Sequence, residues 1–224
     1  SKTIEKTFQS ILNQTYNDIE YIVIDGGSTD STLDIIKKYK KNIASFISEP
    51  DKGLYDAMNK GIKLATGKIV GILNSDDIYT DEKVLENVAR FHENNNVEVS
   101  LGNIIQLTNY GKVVRRYSAK KWIPNKLKIG FMPPHPSIFF NRELFDSYGY
   151  YHTDFISGAD YELIVRFFLK NNVSWKFSNI TTTAMLIGGI SSSGLDSYVL
   201  ISKEICNALA RNNIKYNKFK VYFR

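Results

Sequence analysis

Apolar and polar positions along this chain follow two rhythms, and the rhythms predict its elements. Ile4, Phe8, Ile11 and Leu12 fall at helical spacing, so the chain opens with a helix over 3–14. Tyr21-Ile-Val-Ile24 is a short apolar run of strand length that ends in Asp25-Gly26-Gly27-Ser28-Thr29-Asp30. Ser28 and Asp30 are both candidate N-caps for the helix that carries Leu33, Ile35, Ile36 and Tyr39. Residues 44–48 predict a second strand and Glu49–Gly53 a turn. Leu54, Ala57, Met58, Gly61, Ile62 and Ala65 then share one face of a helix over 54–66, which Gly67 is expected to stop. The continuous apolar run Ile69–Leu73 predicts a strand buried on both faces, as in a parallel sheet, and it ends abruptly in Asn74-Ser75-Asp76-Asp77.

Beyond that point a helix is expected over 81–94. Strands over 97–107 and 112–117 should be joined as a hairpin through Asn109-Tyr110-Gly111. Pro124, Pro133, Pro134 and Pro136 forbid regular helix between 122 and 136, which predicts a loop wrapped over something. A short strand over 137–140, a short helix over 142–147 and a helix from Asp160 to near Asn171 follow. Residues 173–177 and 183–187 read as two strands, Gly188–Ser191 as a loop, and 195–212 as a helix. The alternation of strand and helix predicts an α/β fold with a mostly parallel central sheet flanked by helices.

Composition narrows the class. A chain of 224 residues, 43% hydrophobic and without a bilayer-length apolar run, holds one good core. A single cysteine, Cys206, excludes an internal disulfide and points to a reducing compartment. Three histidines beside one cysteine argue against zinc and leave carboxylate sites for Mg²⁺ or Mn²⁺ open. The net charge of +6 points to an anionic partner; nucleic acid rests on that charge alone and ranks last.

The candidate chemistry lies at the ends of predicted strands, where ligands of open α/β sheets gather. Strand, paired glycines and helix start at 21–33 suit a nucleotide, because Gly26 and Gly27 let backbone approach a ligand closely. Asp76 and Asp77 repel each other, so a cation that bridges them to a phosphate is a sensible partner; a simple turn is the alternative. Asp160 opens a helix after Gly158 and reads either as a base or as an N-cap. His135, between prolines, could touch a diphosphate or an acceptor, or be structural. Asn59 is the odd polar group among apolar neighbours, either solvated or facing the base of a ligand. The tail from Lys215 to Arg224 interleaves bases with aromatics, as an interfacial anchor or a frayed end would.

Several of these stretches together resemble family 2 glycosyltransferases of the GT-A fold. They are 21–32, Ser48-Glu-Pro-Asp-Lys-Gly-Leu-Tyr-Asp-Ala-Met-Asn-Lys-Gly61, Leu73-Asn-Ser-Asp-Asp77, Pro134-His-Pro-Ser137 and Gly158-Ala-Asp-Tyr-Glu-Leu163. The resemblance covers nearly the whole chain and is greatest to bacterial enzymes of cell-surface polysaccharide synthesis. It implies that Asp25 holds the nucleotide base, that Asp77 is a metal ligand with Asp76 nearer the ribose, and that Asp160 is the general base. It further implies a divalent cation, Mn²⁺ or Mg²⁺, a nucleotide-sugar donor that is commonly a UDP-sugar, and inversion at the anomeric carbon. The acceptor would be a glycan or a lipid-linked glycan, in the cytoplasm or peripheral on the inner face of the membrane. Within one domain, 1–100 would bind the nucleotide sugar, 101–194 the acceptor, and 195–224 would add a helix and the tail. The alternative is a non-catalytic binding module on the same fold. Three departures stand out: Asn74 where an aspartate is frequent, Ala159 where a glutamate often precedes the base, and no strand with its Pro-x-Tyr/Phe-Asn-type loop before the first helix. That last departure is expected to mean that the sequence is a piece of a longer chain, since the lack of the strand would leave a central strand unpaired on one side.

Overall fold

The computed structural model describes residues 3–108, 110–186 and 194–224; the expected loop Gly188–Ser191, Ile187 and the hairpin residue Asn109 lie outside the described residues. The α/β class stands, and nearly every predicted element is present. Helix α1 (Ile4–Leu12) leads to β1 (Ile22–Asp25), α2 (Thr32–Lys38), β2 (Ser45–Ser48) and α3 (Leu54–Leu64). Then come β3 (Ile69–Gly71), β4 (Asp77–Tyr79), α4 (Val84–Asn95) and the hairpin of β5 (Val99–Leu107) with β6 (Val113–Ser118). Short 3-10 turns at Pro124–Ile129 and His135–Ser137 occupy the proline-rich stretch. The chain continues through β7 (Ile138–Asn141), α5 (Glu143–Tyr148), α6 (Ala159–Val165), β8 (Trp175–Leu186), α7 (Gly194–Arg211) and α8 (Lys218–Tyr222).

The sheet corrects one expectation. It is mixed, because among the described residues only β1–β2 and β5–β8 pair parallel, whereas β3–β7, β5–β7, β5–β6 and β4–β8 pair antiparallel. Parallel neighbours need a long crossover, and the second half of the chain supplies hairpins and short loops instead. The six-stranded sheet runs β3-β7-β5-β8-β4 with β6 added beside β5. Strand β5 changes partner midway, from β7 at 99–101 to β6 at 103–107. The switch falls at Gly102, where a Cβ would stand 2.7 Å from the Ile180 carbonyl oxygen.

The apolar run 69–73 is therefore not a strand buried on both faces. It gives three residues of β3 at the end of the sheet, then a turn, and β4 starts at Asp77. One side of β1 and one side of β3 carry no strand partner among the described residues. Two expected strands over 173–187 merge into one, β8, whose register against β5 shifts between Leu101 and Ile104, while Asn179 adopts a left-handed φ of 59°. Helix α3 ends at Leu64, short of Gly67, and the free N–H groups of Thr66 and Gly67 donate to the Glu20 carboxylate at 2.7 and 3.1 Å. That carboxylate ties the approach to β1 to the approach to β3.

Packing separates into two cores. The larger one joins Val99, Leu101, Ile138 and Phe140 of the sheet to Leu163, Ile164 and Phe167 and to Ala208 and Leu209 of α7. A smaller one gathers Phe8, Val23 and Ile36, with Tyr39 stacked on Phe8 at 4.9 Å. Helix α1 is also stitched to the turn before β4, where the Thr7 hydroxyl donates to the carbonyls of Ser75 and Asp77 at 3.1 and 2.8 Å.

Candidate active site

Three groups of side chains hold the expected site residues. The first forms where β1 and β2 end side by side. The buried Asp25 carboxylate accepts from the N–H groups of Gly27 and Ser28 at 3.2 and 3.0 Å and from the Ser48 hydroxyl at 2.7 Å. Burial alone would raise its pKa, but these bonds, led by Ser28 and Ser48, hold the acid below its ordinary value and therefore charged. Gly27 is required by the backbone of this turn, and Gly26 leaves room for the Asp51 side chain. A Cβ at Gly26 would fall 2.3 Å from a carboxylate oxygen of Asp51, and Gly27 has a φ of +85° beside Pro50. Asp51 in turn accepts from Gly53 N–H at 2.8 Å, which delivers the chain into α3.

The second group is Asn74, Asp76 and Asp77. Asp77 is 1% exposed, and burial followed by the nearby Asp76 charge raises its acid to about 7. Asn74 Nδ2 donates to Asp77 Oδ2 at 3.1 Å. This explains the departure at 74: an aspartate there would set a third carboxylate against two that already repel, whereas the amide supplies a donor. It also bears on the metal expected at Asp77, because a ligand must be deprotonated and reachable. The half-buried Asp76 satisfies access better. Among the described residues no group of three His, Cys, Asp or Glu stands together to hold a metal. A Mg²⁺ or Mn²⁺ that arrives with a diphosphate needs only one or two protein carboxylates, and the Asp76 side chain fits that mode.

The third group surrounds Asp160, in the first turn of α6. Oδ1 accepts from the Tyr161 N–H at 2.7 Å and, at 3.4 Å, from the hydroxyl of Tyr55 in the first turn of α3. Burial raises the pKa of Asp160, and the nearby His135 and the bonds to Oδ1 oppose the rise only in part. Tyr151 completes the group: its ring stacks on Tyr55 at 5.8 Å, and its hydroxyl meets His135 Nε2 at 2.8 Å. Burial holds the His135 pKa down, against the pull of Asp160, so the ring is neutral at physiological pH.

Asn59, expected to face a ligand, is instead a clamp for this group. Its Nδ2 donates to the Tyr151 carbonyl at 2.8 Å and its Oδ1 accepts from the Tyr151 N–H at 2.9 Å, both buried. One turn earlier on the same helix stands Tyr55, so α3 fixes Tyr151 twice. Behind them, Arg166 donates to the carbonyls of Tyr148, Gly149 and Tyr150 and pairs with the buried Glu162 at 2.9 Å. Helix α6 thus carries Asp160 at its start and, on its next positions, the acid that anchors the loop leading to Tyr151. Helix α7 fixes the start of α6: Glu204 accepts from the N–H groups of Ile156 and Ser157 at 2.6 and 2.9 Å. A Cβ on Gly158 would come within 2.9 Å of Glu204 Cβ. Ala159, the other departure from the family pattern, is fully buried in the main core, where a glutamate would lose its hydration.

The structure joins Asp25 with Gly26, Asp76 with Asp77, and His135 with Asp160. Backbone links relate the three groups: α3 runs from the Asp51 turn to Tyr55, and β8 pairs Asp77 with Met185 and Tyr79 with Thr183. Thr183 then donates from its hydroxyl to the Pro136 carbonyl at 2.8 Å, beside His135. Sequence reasoning missed Ser48, Tyr55, Tyr151 and Glu204. Ser48 and Tyr55 lie inside the 48–61 block that carried the resemblance; Tyr151 and Glu204 take their places from long-range packing and leave no local signal.

Comparison with known proteins agrees with this geometry. The family described as "Glycosyl transferase family 2" matches residues 1–156. A "PGL/p-HBAD biosynthesis glycosyltransferase" of Mycobacterium bovis is 30% identical over 202 residues, covering 85% of this chain and 75% of the relative. The "UDP-Glc:alpha-D-GlcNAc-diphosphoundecaprenol beta-1,3-glucosyltransferase WfaP" of Escherichia coli is 39% identical over 102 residues, 45% of this chain and 40% of the relative. Among solved structures, S. aureus TarS 1-349 in complex with UDP-GlcNAc superposes with a TM-score of 0.71 at 22% identity, over 95% of this chain and 66% of that one. The mannosyltransferase PcManGT from Pyrobaculum calidifontis, in complex with GDP-Man and Mn²⁺, gives 0.65 at 18% identity, over 98% of this chain and 64% of that one. The chain thus spans slightly less than two thirds of each of these two solved structures. It belongs to glycosyl transferase family 2, and its fold is the GT-A fold.

Proposed function

We propose that this family 2 glycosyltransferase moves a sugar from a nucleoside diphosphate sugar, a UDP-sugar, to a hydroxyl of a glycan or lipid-linked acceptor in surface glycan synthesis, with inversion. The observation that carries the reading is the pairing of two unlike carboxylates: Asp25, held ionised by its donors, and Asp160, raised by burial beside Tyr55, Tyr151 and His135. TarS in complex with UDP-GlcNAc, which shares the fold, supports the donor, and the lipid diphosphate in the name of WfaP supports the acceptor.

In this mechanism Asp25 orients the nucleotide at the ends of β1 and β2, and the Gly26-Gly27 turn brings backbone close to it. Asp76 would hold a divalent cation together with the diphosphate, in place of the Asp77 expected from the resemblance; Asp77 stays a buried neighbour that tunes it. When bound, that cation supplies the positive charge that offsets the charge developing on the leaving diphosphate. Asp160 Oδ2 takes the proton of the acceptor hydroxyl as the acceptor oxygen bonds to the anomeric carbon and the bond to the diphosphate breaks. A raised pKa makes Asp160 a stronger base than an ordinary aspartate. The Tyr161 N–H and Tyr55 hydroxyl fix the other oxygen, and neutral His135 holds Tyr151 in place through its hydroxyl.

The test is donor turnover by the full-length protein over a panel of nucleotide sugars with Mn²⁺, Mg²⁺ or EDTA, beside Asp76→Ala and Asp77→Asn. Metal-dependent release of one nucleoside diphosphate, lost in Asp76→Ala and kept in Asp77→Asn, is the expected result. Donor binding without turnover for any acceptor extract would make the protein a binding module instead.

A further inference from the structure

The C-terminal tail, expected as an anchor or a frayed end, is neither loose nor fully covered. Asn217 caps α8 by accepting from the Lys220 N–H, and Val221 is fully buried. Arg224 donates to Ser202 Oγ at 2.9 Å and to the Val221 carbonyl at 2.6 Å, and lies 4.9 Å over the Tyr198 ring. A Cβ on Gly130 would stand 2.6 Å from Arg224 Cδ, so α8 is fixed against both α7 and the Pro124–Ile129 turn. Yet this rigid frame turns aromatic rings into water: Phe219 is 77% exposed, Phe223 84% and Phe131 48%. With Ile129, Lys220 and Arg224 they line a shallow, mostly apolar cavity of about 390 Å³.

The charge around this patch selects its occupant. The two segments that build it, 119–131 and 215–224, contain Lys120, Lys121, Lys126, Lys128, Lys215, Lys218, Lys220 and Arg224 and no acidic residue. A second copy of the chain would meet the same collar of cations and be repelled. Aromatic rings at the centre of a basic collar complement anionic headgroups over an acyl layer. We propose that this patch docks the protein on an anionic lipid bilayer, with Phe131, Phe219 and Phe223 at the headgroup–acyl boundary and the lysines on the headgroups.

The patch is also continuous with the acid–base group. Tyr161, next to Asp160, donates from its hydroxyl to the Leu127 carbonyl in the same turn that packs against α8. Docking therefore orients Asp160 relative to the bilayer, the side from which a lipid-linked acceptor presents its hydroxyl; this clause alone rests on the function proposed above.

The experiment is co-sedimentation of the full-length protein with vesicles of phosphatidylglycerol and phosphatidylcholine, or of phosphatidylcholine alone, without sugar or acceptor. Wild type is expected to pellet with the anionic vesicles and stay in solution with the neutral ones. The exposed pair Phe219→Ser/Phe223→Ser should keep its melting temperature but partition roughly tenfold less or worse. Lys218→Glu/Lys220→Glu should weaken binding to anionic vesicles. Wild type that stays in solution with anionic vesicles, or a serine pair that pellets like wild type, would overturn the proposal. So would self-association without vesicles that the serine pair abolishes, which would make a second copy the occupant. None of these outcomes depends on turnover, so the docking surface and the transferase reading fail separately.

Discussion

Asp25 and Asp160 both stand where a turn meets a secondary-structure element, both are withdrawn from water, and their protonation chemistry runs in opposite directions. Around Asp25, two backbone N–H groups and two hydroxyls converge on the carboxylate, and they outweigh its burial. Around Asp160, the Tyr161 N–H and the Tyr55 hydroxyl reach the carboxylate at 2.7 and 3.4 Å, and burial wins. The contrast teaches that the balance between desolvation and the donors aimed at a carboxylate decides whether it serves as a fixed charge or as a base. The nucleotide side is thereby built to bind and the acceptor side to move a proton.

The largest expected effect separates the two. Asp160→Asn removes the base without changing shape and should lower kcat about a thousandfold, while donor affinity measured by calorimetry stays near wild type. Asp25→Ala should do the reverse: it removes a charged acceptor of several bonds, so donor affinity should fall roughly tenfold or more, with kcat at saturating donor little changed. Equal losses of kcat and affinity in both variants would collapse the distinction.

Asp77 sharpens it from the stability side. Its acid is raised from an ordinary 3.8 to about 7 in the fold. Between those values the folded chain binds more protons than the unfolded chain, so this residue's contribution is complete below about pH 4 and is lost as the pH climbs through 7. Asp77→Asn should therefore melt higher than wild type at pH 8 in EDTA and close to it at pH 4, by thermal denaturation. A variant that melts lower at pH 8 would show that the ionised carboxylate is stabilised by something this account omits. The smallest effect is expected from Tyr55→Phe. Losing a 3.4 Å bond to Oδ1 should change kcat only a few-fold and shift the acid limb of its pH profile upward, since that bond stabilises the charged form.

Much of this was legible in the residues, and the misses have physical causes. The run of short strands and amphipathic helices follows from local period, and the carboxylates at strand and helix ends were all visible. Strand pairing was not: whether β3 faces a parallel or an antiparallel neighbour depends on β7, some seventy residues away. For the same reason Asn59 reads from sequence as either solvated or facing a ligand, when its partner is the Tyr151 backbone 92 positions on. The raised pKa of Asp77 depends first on burial, to which the distant strand β8 contributes, and then on the charge of Asp76, opposed by the amide of Asn74; only the last two lie nearby in the chain.

The measurement that bears most directly on the central claim is the pH dependence of kcat for sugar transfer, in wild type and Asp160→Asn. With Asp160 as the base, kcat must fall as the pH drops and the carboxylate takes up a proton. The limb should lie above the range of an ordinary aspartate and vanish in the residual activity of the variant. A flat profile, or an acid limb that survives unchanged in Asp160→Asn, would contradict the account and place the base elsewhere.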